Sequence, residues 1–567
     1  MSIFRKKRKW NYEVDPDEIL IDARNIPDFD TQQFEGVIEK TISKKSIYIL
    51  SICFMMIGII FISKIGILEI IRGEHYFTRS QENTLSDEPL FANRGIIYDR
   101  NGKELAWNDL STGDNLFPTR TYASITGASH LLGYVNYPAK DNSGFYWQTD
   151  FVGQDGIEKQ YNSLLSGKNG EIIAERDVHG NVISQNSITK PENGKNITLT
   201  IDKDIQEELG KKITEISGNA GYQGGAAVMM DIHTGEILGL ANYPEYDSNV
   251  MSLKQDSKAI SSYFTDSRHP FLNRVIDGKF PPGSIVKPFV AMGALNEGVI
   301  DPMTKILSQD YITVANPYNP GQKYIFKDFH QNNGWLDMRH ALGVSSNIYF
   351  FEVGGGYQNQ KGIGISNIQK YANLFGIGEK TGIDLPEENV GVVPGPEWKA
   401  KNFPGDIWRI GDTYNTAIGQ YGFQVTPIEM VRAVSAIANY GTLVTPHLLK
   451  DPEQKLPADT VLNFPKSDYD VIHDGMRLVA TVGTGSAFSI LPFHIGAKTG
   501  TAQVGDHNQY ITSWAMTFFP FEKPKYALVT MMERGTSAGS IVGAQKVARE
   551  FLQWLGTNKP EYVAIDK

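Results

Sequence analysis

The sequence predicts an α+β protein behind a single apolar N-terminal helix. Three observations carry this: an uncharged apolar run over residues 46–63, strand-like segments at both ends of the region after residue 198, and a long helix-rich stretch between them. Strands that open and close a domain in this way can meet in one antiparallel sheet covered by helices. At roughly 100 to 200 residues per domain, the 567 residues allow about three domains, each able to bury a core. The net charge of -10 argues against a protein whose main task is wrapping nucleic acid, because that affinity rests on Lys and Arg neutralising phosphates. Cys53 is the only cysteine, so no intrachain disulfide and no cysteine-based zinc site can form.

The run SIYILSICFMMIGIIFIS over 46–63 approaches the thickness of a bilayer core at about 1.5 Å per helical residue, and it extends to Leu68 if Lys64 snorkels. Largely polar residues precede it and no small-residue cleavage site follows, which favours a permanent span over a signal peptide. Arg5, Lys6, Lys7, Arg8, Lys9, Lys40, Lys44 and Lys45 lie before the run, while only Arg72 and Arg79 follow closely. That bias places residues 1–45 in the cytoplasm as a tail and the bulk of the chain outside it, after one crossing over 46–68.

Residues 69–197 form a pedestal of short strands, such as 94–98, cut by turn signals at Asn101-Gly102, Gly167-Lys-Asn-Gly170 and His179-Gly-Asn181. They contain no catalytic arrangement. The domain expected over 198–567 opens on a helix with Ile205, Leu209, Ile213 and Ile216 spaced four, four and three apart. Strands follow at 225–230 and 237–241 as a hairpin, and again near the end at 495–504, 511–519 and 526–532. A helix over 541–554 closes the set.

Ser284-Ile-Val-Lys287 stands behind the turn cluster Phe280-Pro-Pro-Gly283 and is expected to open a helix. Such a helix puts Ser284, Lys287, Ala291 and Ala294 on one face, with Ile285, Phe289 and Met292 on another. A lysine one turn from a serine reaches its hydroxyl, and a lysine whose pKa is lowered by burial can deprotonate it. The tetrad alone means little, since roughly two or three accidental matches are expected in a chain of this length. Ser345-Ser-Asn347, beside a helix boundary, offers a second hydroxyl and a carboxamide able to relay a proton and hold a substrate amide, although taken alone it reads by default as a turn or cap. Lys498-Thr-Gly-Thr-Ala-Gln503 falls on a strand, with Thr499 and Thr501 on one face and Lys498 on the other. Gly500 removes a side chain where a backbone must approach a ligand, and the strand can pair with an extended peptide. Lys380-Thr-Gly382 repeats three of these letters ahead of a turn-rich acidic stretch and reads as structural.

In this order the three motifs resemble the constellation of penicillin-binding proteins and serine β-lactamases. The chain is identified by that resemblance as a class B penicillin-binding protein of the elongation type. The pedestal carries it through Arg94-Gly-Ile-Ile-Tyr-Asp-Arg-Asn-Gly102, Leu132-Gly-Tyr-Val135 and Gly153-Gln-Asp-Gly-Ile-Glu158. The later part carries it through Pro282-Gly-Ser-Ile-Val-Lys287, Thr381-Gly-Ile-Asp-Leu-Pro386 and Lys498-Thr-Gly-Thr-Ala-Gln503. Trp398-Lys399, Gly411-Asp-Thr413 and Ile418-Gly-Gln420 favour elongation over division.

The resemblance implies a penicillin-binding transpeptidase domain in which Ser284 attacks the bond between two D-alanines of a peptidoglycan stem peptide. Lys287 accepts its proton, Ser345, Asn347 and Lys498 complete the proton path, and the N–H groups of Ser284 and Thr501 form the oxyanion hole. Thr499 and Thr501, beside Gly500, hold the terminal carboxylate. It further implies acylation by β-lactams, an anchor in the cytoplasmic membrane, a polytopic glycan polymerase of the shape and elongation type as partner, and no metal or cofactor. Alternatives are a carboxypeptidase, a division-type transpeptidase, a β-lactamase or a non-catalytic penicillin-binding scaffold. Ile285-Val286 replaces the usual Thr-Phe without moving a reactive group, and Gln420-Tyr421-Gly422 inverts the family's Gln-Gly-Tyr, which leaves that loop's conformation open.

Overall fold

The computed structural model describes residues 44–71, 85–109, 117–176, 182–316, 319–329, 334–453, 455–536 and 543–565. The turn expected at His179-Gly-Asn181 and the first two residues of the closing helix lie outside them. The chain divides into two compact units, Met1–Ser86 with Glu175–Ile183, and Asp87–Ala174 with Ser184–Lys567. In the first, helix α1 (Lys44–Gly66) continues into a π-helical turn, Ile67–Ile71. Its large apolar side chains, among them Phe54, Met55, Phe61 and Ile62, are exposed. By length and composition Tyr48–Ile70 can cross a membrane. A helix apolar all round needs an apolar surrounding, and a bilayer supplies it.

The second unit opens with a small sheet of β1 (Ile97–Tyr98), β2 (Glu104–Asp109), β3 (Thr119–Tyr122) and β4 (Ile197–Thr198), in the order β4-β1-β2-β3. The strand expected over 94–98 is shortened because Arg94 is committed elsewhere. With Arg120 it grips Glu158, carried on the short helix α2 (Gly156–Gln160), and all three side chains are fully buried. Burial alone would raise the Glu158 pKa, but the guanidiniums of Arg120 and Arg94 outweigh it and hold the carboxyl below its usual value. Removing one member of a buried ionic cluster leaves charges without partners, a loss of about 3–5 kcal/mol. Glu158→Ala is therefore expected to lower stability by that order in denaturant unfolding, and a change under about 1 kcal/mol would contradict a structural role for the cluster.

Helix α3 (Lys203–Ala220) begins at Asp202, whose carboxylate accepts hydrogen bonds from the N–H groups of Asp204 and Ile205, and ends at left-handed Gly221. Its stripe of Ile205, Leu209, Ile213 and Ile216 is buried, as the spacing predicts. The chain then runs through β5 (Gly224–Asp231), β6 (Ile237–Tyr243), α4 (Lys287–Asn296), the hairpin β7 (Tyr311–Asn316) and β8 (Asn319–Lys327), and helices α5 (Met338–Val344) and α6 (Asn347–Gly355). Helices α7 (Pro427–Ala438) and α8 (Lys466–Thr481), strands β9 (Gly496–Val504), β10 (Tyr510–Phe519) and β11 (Tyr526–Thr536), and α9 (Gly543–Asn558) complete it.

The expected meeting of first and last strands occurs in a five-stranded antiparallel sheet of order β6-β5-β11-β10-β9. Both faces are covered, which explains why β5 reads as an unbroken apolar run. Ala227 and Met229 face α3 and α9, with Leu209, Val547 and Phe551 among their cluster. Val228 and Met230 belong to the opposite layer with Phe289 of α4, Val434 of α7 and Ile472 of α8. Each fully buried side chain of this kind contributes roughly 1.5–3 kcal/mol.

Polar contacts tie the pedestal stretches to this body. Lys103 pairs with Asp204 at 2.7 Å, and the Glu245 carboxylate accepts from the N–H groups of Gly127 (2.6 Å) and Ser129 (2.8 Å). The Tyr161 hydroxyl donates to Asp384, whose other oxygen accepts from the Leu448 N–H at 2.7 Å. Thr381-Gly-Ile-Asp-Leu-Pro386 thus serves the junction rather than the chemistry. The repeated Lys380-Thr-Gly382 is structural, with Thr381 bonded through both N–H and hydroxyl to Glu388.

Candidate active site

Ser284 lies in a 3-10 turn, Gly283–Val286, and the α-helix starts only at Lys287. This corrects the expected helix start, and the reason is Pro288: without an N–H it fits only the first turn of a helix. The two-faced helix expected there is buried on every side from Lys287 to Leu295. Trp514 Nε1 donates to Pro281 O at 2.9 Å and fastens the segment before the serine to β10. A Cβ on Gly500 would lie 2.8 Å from Pro282 O and 2.9 Å from Ile285 Cγ2. Gly500 therefore lets β9 approach the turn that carries Ser284, a closer constraint than the ligand approach expected of it.

Helix α5 ends where Ser345 adopts φ 60°, and Ser346 caps α6 by accepting the Tyr349 N–H at 3.1 Å. Asp328, which the sequence did not single out, holds this joint. Its carboxylate accepts from Ser346 Oγ (2.8 Å), Ser308 Oγ (2.9 Å) and the Asn347 N–H (2.9 Å). Because its partners come from two stretches away from its own, no local motif marks it.

The Lys287 side chain is fully buried, and Nζ donates to Ser345 O at 2.6 Å and Asn347 Oδ1 at 2.8 Å while standing 3.3 Å from Ser345 Oγ. Burial lowers its pKa to about 7, against the upward pull of the Asp328 charge. An uncharged amine has two N–H groups and one lone pair, and the two carbonyl oxygens occupy both donors. The lone pair is left for a hydroxyl. Lys498, from the far face of β9, is also fully buried, and Nζ donates to Ser345 Oγ at 2.7 Å and Thr499 O at 2.9 Å. Burial, and then the neighbouring Lys287 charge, push its pKa well down. Ser345 thus joins two amines that resist being charged together, the condition for moving one proton between them.

Above this network lies a cleft of about 690 Å³ lined by Ser284, Ser345, Asn347, Thr499 and Thr501 among others. Thr499 Oγ1 hydrogen-bonds Thr484 Oγ1 at 2.7 Å. Thr484 sits in Gly483-Thr-Gly485, a pattern that signals a turn and nothing more specific. All eight residues expected at the site therefore gather around one floor, with Gly500 beneath it as spacing.

The inverted Gln420-Tyr421-Gly422 also finds its reason. A Cβ on Gly422 would fall 2.3 Å from the Trp398 ring, so glycine is required there. Gly422 has φ 79°, and Tyr421 before it takes the left-handed conformation as well, at φ 61° and a strain of about 1–2 kcal/mol. Its ring meets the edges of Trp398 and Trp408, both at 5.8 Å, and walls the cleft. Lys399, bonded to Asp412 at 2.6 Å, links Trp398-Lys399 to Gly411-Asp-Thr413 and braces that wall.

A serine on a tight turn, a buried amine near neutrality and a hydroxyl–amine relay beside an antiparallel sheet define a serine acyl-transfer centre. Residues 225–553 match the penicillin binding protein transpeptidase domain, and residues 115–199 match the penicillin-binding protein dimerisation domain. The chain belongs to the penicillin-binding protein transpeptidase family. It is 31% identical to the peptidoglycan D,D-transpeptidase MrdA of Acinetobacter baumannii over 473 residues, 78% of this chain and 66% of that protein. It is 30% identical to MrdA of Escherichia coli K12 over 603 residues, covering 88% of this chain and 92% of the relative. The solved complex between penicillin-binding protein 2 and MreC from Helicobacter pylori is similar with a TM-score of 0.69 and 27% identity, over 84% of this chain and 100% of that one.

Proposed function

We propose that the chain is an elongation-type peptidoglycan D,D-transpeptidase working through an acyl-enzyme on Ser284. The observation that carries this is Lys287, buried, with its pKa lowered to about 7 so that a large share of it is uncharged at neutral pH, and with both N–H groups directed at carbonyl oxygens. Ser284 Oγ attacks the carbonyl between the two terminal D-alanines as its proton passes to Lys287. Backbone N–H groups of Ser284 and Thr501 take the oxyanion, where a single donor contributes about 3 kcal/mol. The C–N bond breaks as the leaving nitrogen receives a proton by way of the Ser345 hydroxyl and Lys498. D-Alanine departs and an ester remains on Ser284. An acceptor amine of a neighbouring strand then attacks the ester and gives up its proton by the same path, which restores the serine hydroxyl. Thr499 and Thr501 hold the terminal carboxylate, and β-lactams enter by the first half of this sequence.

The apolar helix α1 anchors the protein in the cytoplasmic membrane, with the basic tail inside and the catalytic part outside, in line with the Lys and Arg bias around it. The similarity to a penicillin-binding protein 2 solved with MreC supports assembly with a partner of that kind, and a polytopic glycan polymerase is the further partner that the family resemblance implies. Two measurements test the function together: mass spectrometry of the penicillin-treated protein, and product analysis with stem-peptide donor and amine acceptor. The adduct is expected on the peptide bearing Ser284, and the product is expected to be a crosslinked dimer. An adduct elsewhere overturns the nucleophile, and a shortened monomer as sole product makes the protein a carboxypeptidase.

A further inference from the structure

Among the described side chains that line the cleft, Lys327 alone carries a formal charge. It stands near the end of β8, exposed, and has no ion pair among the described residues. Its neighbour Asp328 does not compensate it, since that carboxylate is committed to Ser308, Ser346 and Asn347. The strand's alternation puts Ile325 on the same face as Lys327. Phe326, between them, packs against Phe351 and Tyr414 with ring centroids 5.8 and 5.0 Å away. Ile325 and Phe329 line the same cleft, and they remain 57% and 54% exposed. The result is a shelf with apolar surface on either side of one cation. This surface suits an aliphatic chain that ends in a carboxylate.

The geometry points to Lys327 as a specificity-determining residue, selecting donor stem peptides whose long side chain, upstream of the scissile D-Ala–D-Ala bond, ends in a free carboxylate. The inference rests on the transpeptidase reading above. It is a second anion site, on a different element from the Thr499 and Thr501 hydroxyls assigned to the terminal carboxylate. Diaminopimelate supplies such a group, while its amidated form and lysine do not. A solvent-exposed ion pair contributes little, which sets the expected discrimination at about fivefold and makes it fall with added salt.

The test measures kcat/KM for D-alanine release by the full-length protein from three pentapeptides, with free diaminopimelate, amidated diaminopimelate or lysine at the third position. The wild type is expected to favour the free acid over the amide by about fivefold. Lys327→Gln should bring that ratio to about one, Lys327→Arg should keep it, and Lys323→Gln, on the same strand outside the cleft, should leave it at the wild-type value. Labelling by a fluorescent penicillin reports in each variant that the Ser284 centre is folded. No preference in the wild type, or a preference that survives Lys327→Gln, overturns the role of Lys327, while D-alanine release together with a crosslinked dimer among the products still supports the transpeptidase reading. Penicillin labelling without D-alanine release from any pentapeptide overturns that reading, and the assignment of Lys327 with it.

Discussion

Ser284→Ala is expected to abolish covalent labelling by a fluorescent penicillin and release of D-alanine from stem peptides, with no change in thermal unfolding beyond about 0.5 kcal/mol. The loss is complete because no other hydroxyl occupies the same place: Ser345 is bonded to Lys498, and Thr499 and Thr501 belong to the strand across the cleft. The fold survives because the half-buried Ser284 contributes no apolar packing. The restraint on its turn comes from neighbours, Trp514 on Pro281 and the close approach of Gly500 to Pro282. Residual labelling at an undiminished level would remove Ser284 from the chemistry.

Lys287→Met keeps the apolar stem's volume and removes the amine. It is expected to slow acylation by about 10²–10⁴-fold, the range for losing a positioned proton acceptor. Its pH dependence gives the sharper result. Lysine must be uncharged to take the serine's proton, and burial brings its pKa to about 7. Wild-type acylation should therefore rise about tenfold per pH unit below that value and flatten above it, and the variant should lose the rising limb. Should the limb persist in Lys287→Met, another group, with Lys498 the nearest candidate, controls the proton.

Most of the catalytic part was legible from the sequence because its chemistry is local. The spacing of Ile205, Leu209, Ile213 and Ile216 predicts α3, and the turn–serine–lysine, serine–asparagine and lysine–threonine–glycine groups each declare themselves within a few residues. Less legible was what depends on distant partners. Asp328 acts on Ser308, Ser346 and Asn347, the buried amine of Lys498 looks from its own strand like an exposed one, and Arg94 leaves an apparent strand to meet Glu158 on α2. The helix start failed for a local reason that could have been read, since Pro288 permits an α-helix from Lys287 and disfavours one already running. Gly500 reads as a place of close approach, but its approach to Pro282 and Ile285 is not legible, because alternation along one strand gives no account of what lies beneath it.

Ser345 sits with positive φ at the joint between two helices, and that narrows the replacements open to it. Threonine keeps the oxygen but brings a β-branch that this torsion disfavours, whereas glycine or asparagine suits the torsion and lacks the oxygen. Chemical need and backbone shape thus bar different residues at the same position. Serine is the residue that satisfies both, so its identity is constrained twice over, even though a solitary hydroxyl is among the most interchangeable groups a protein carries.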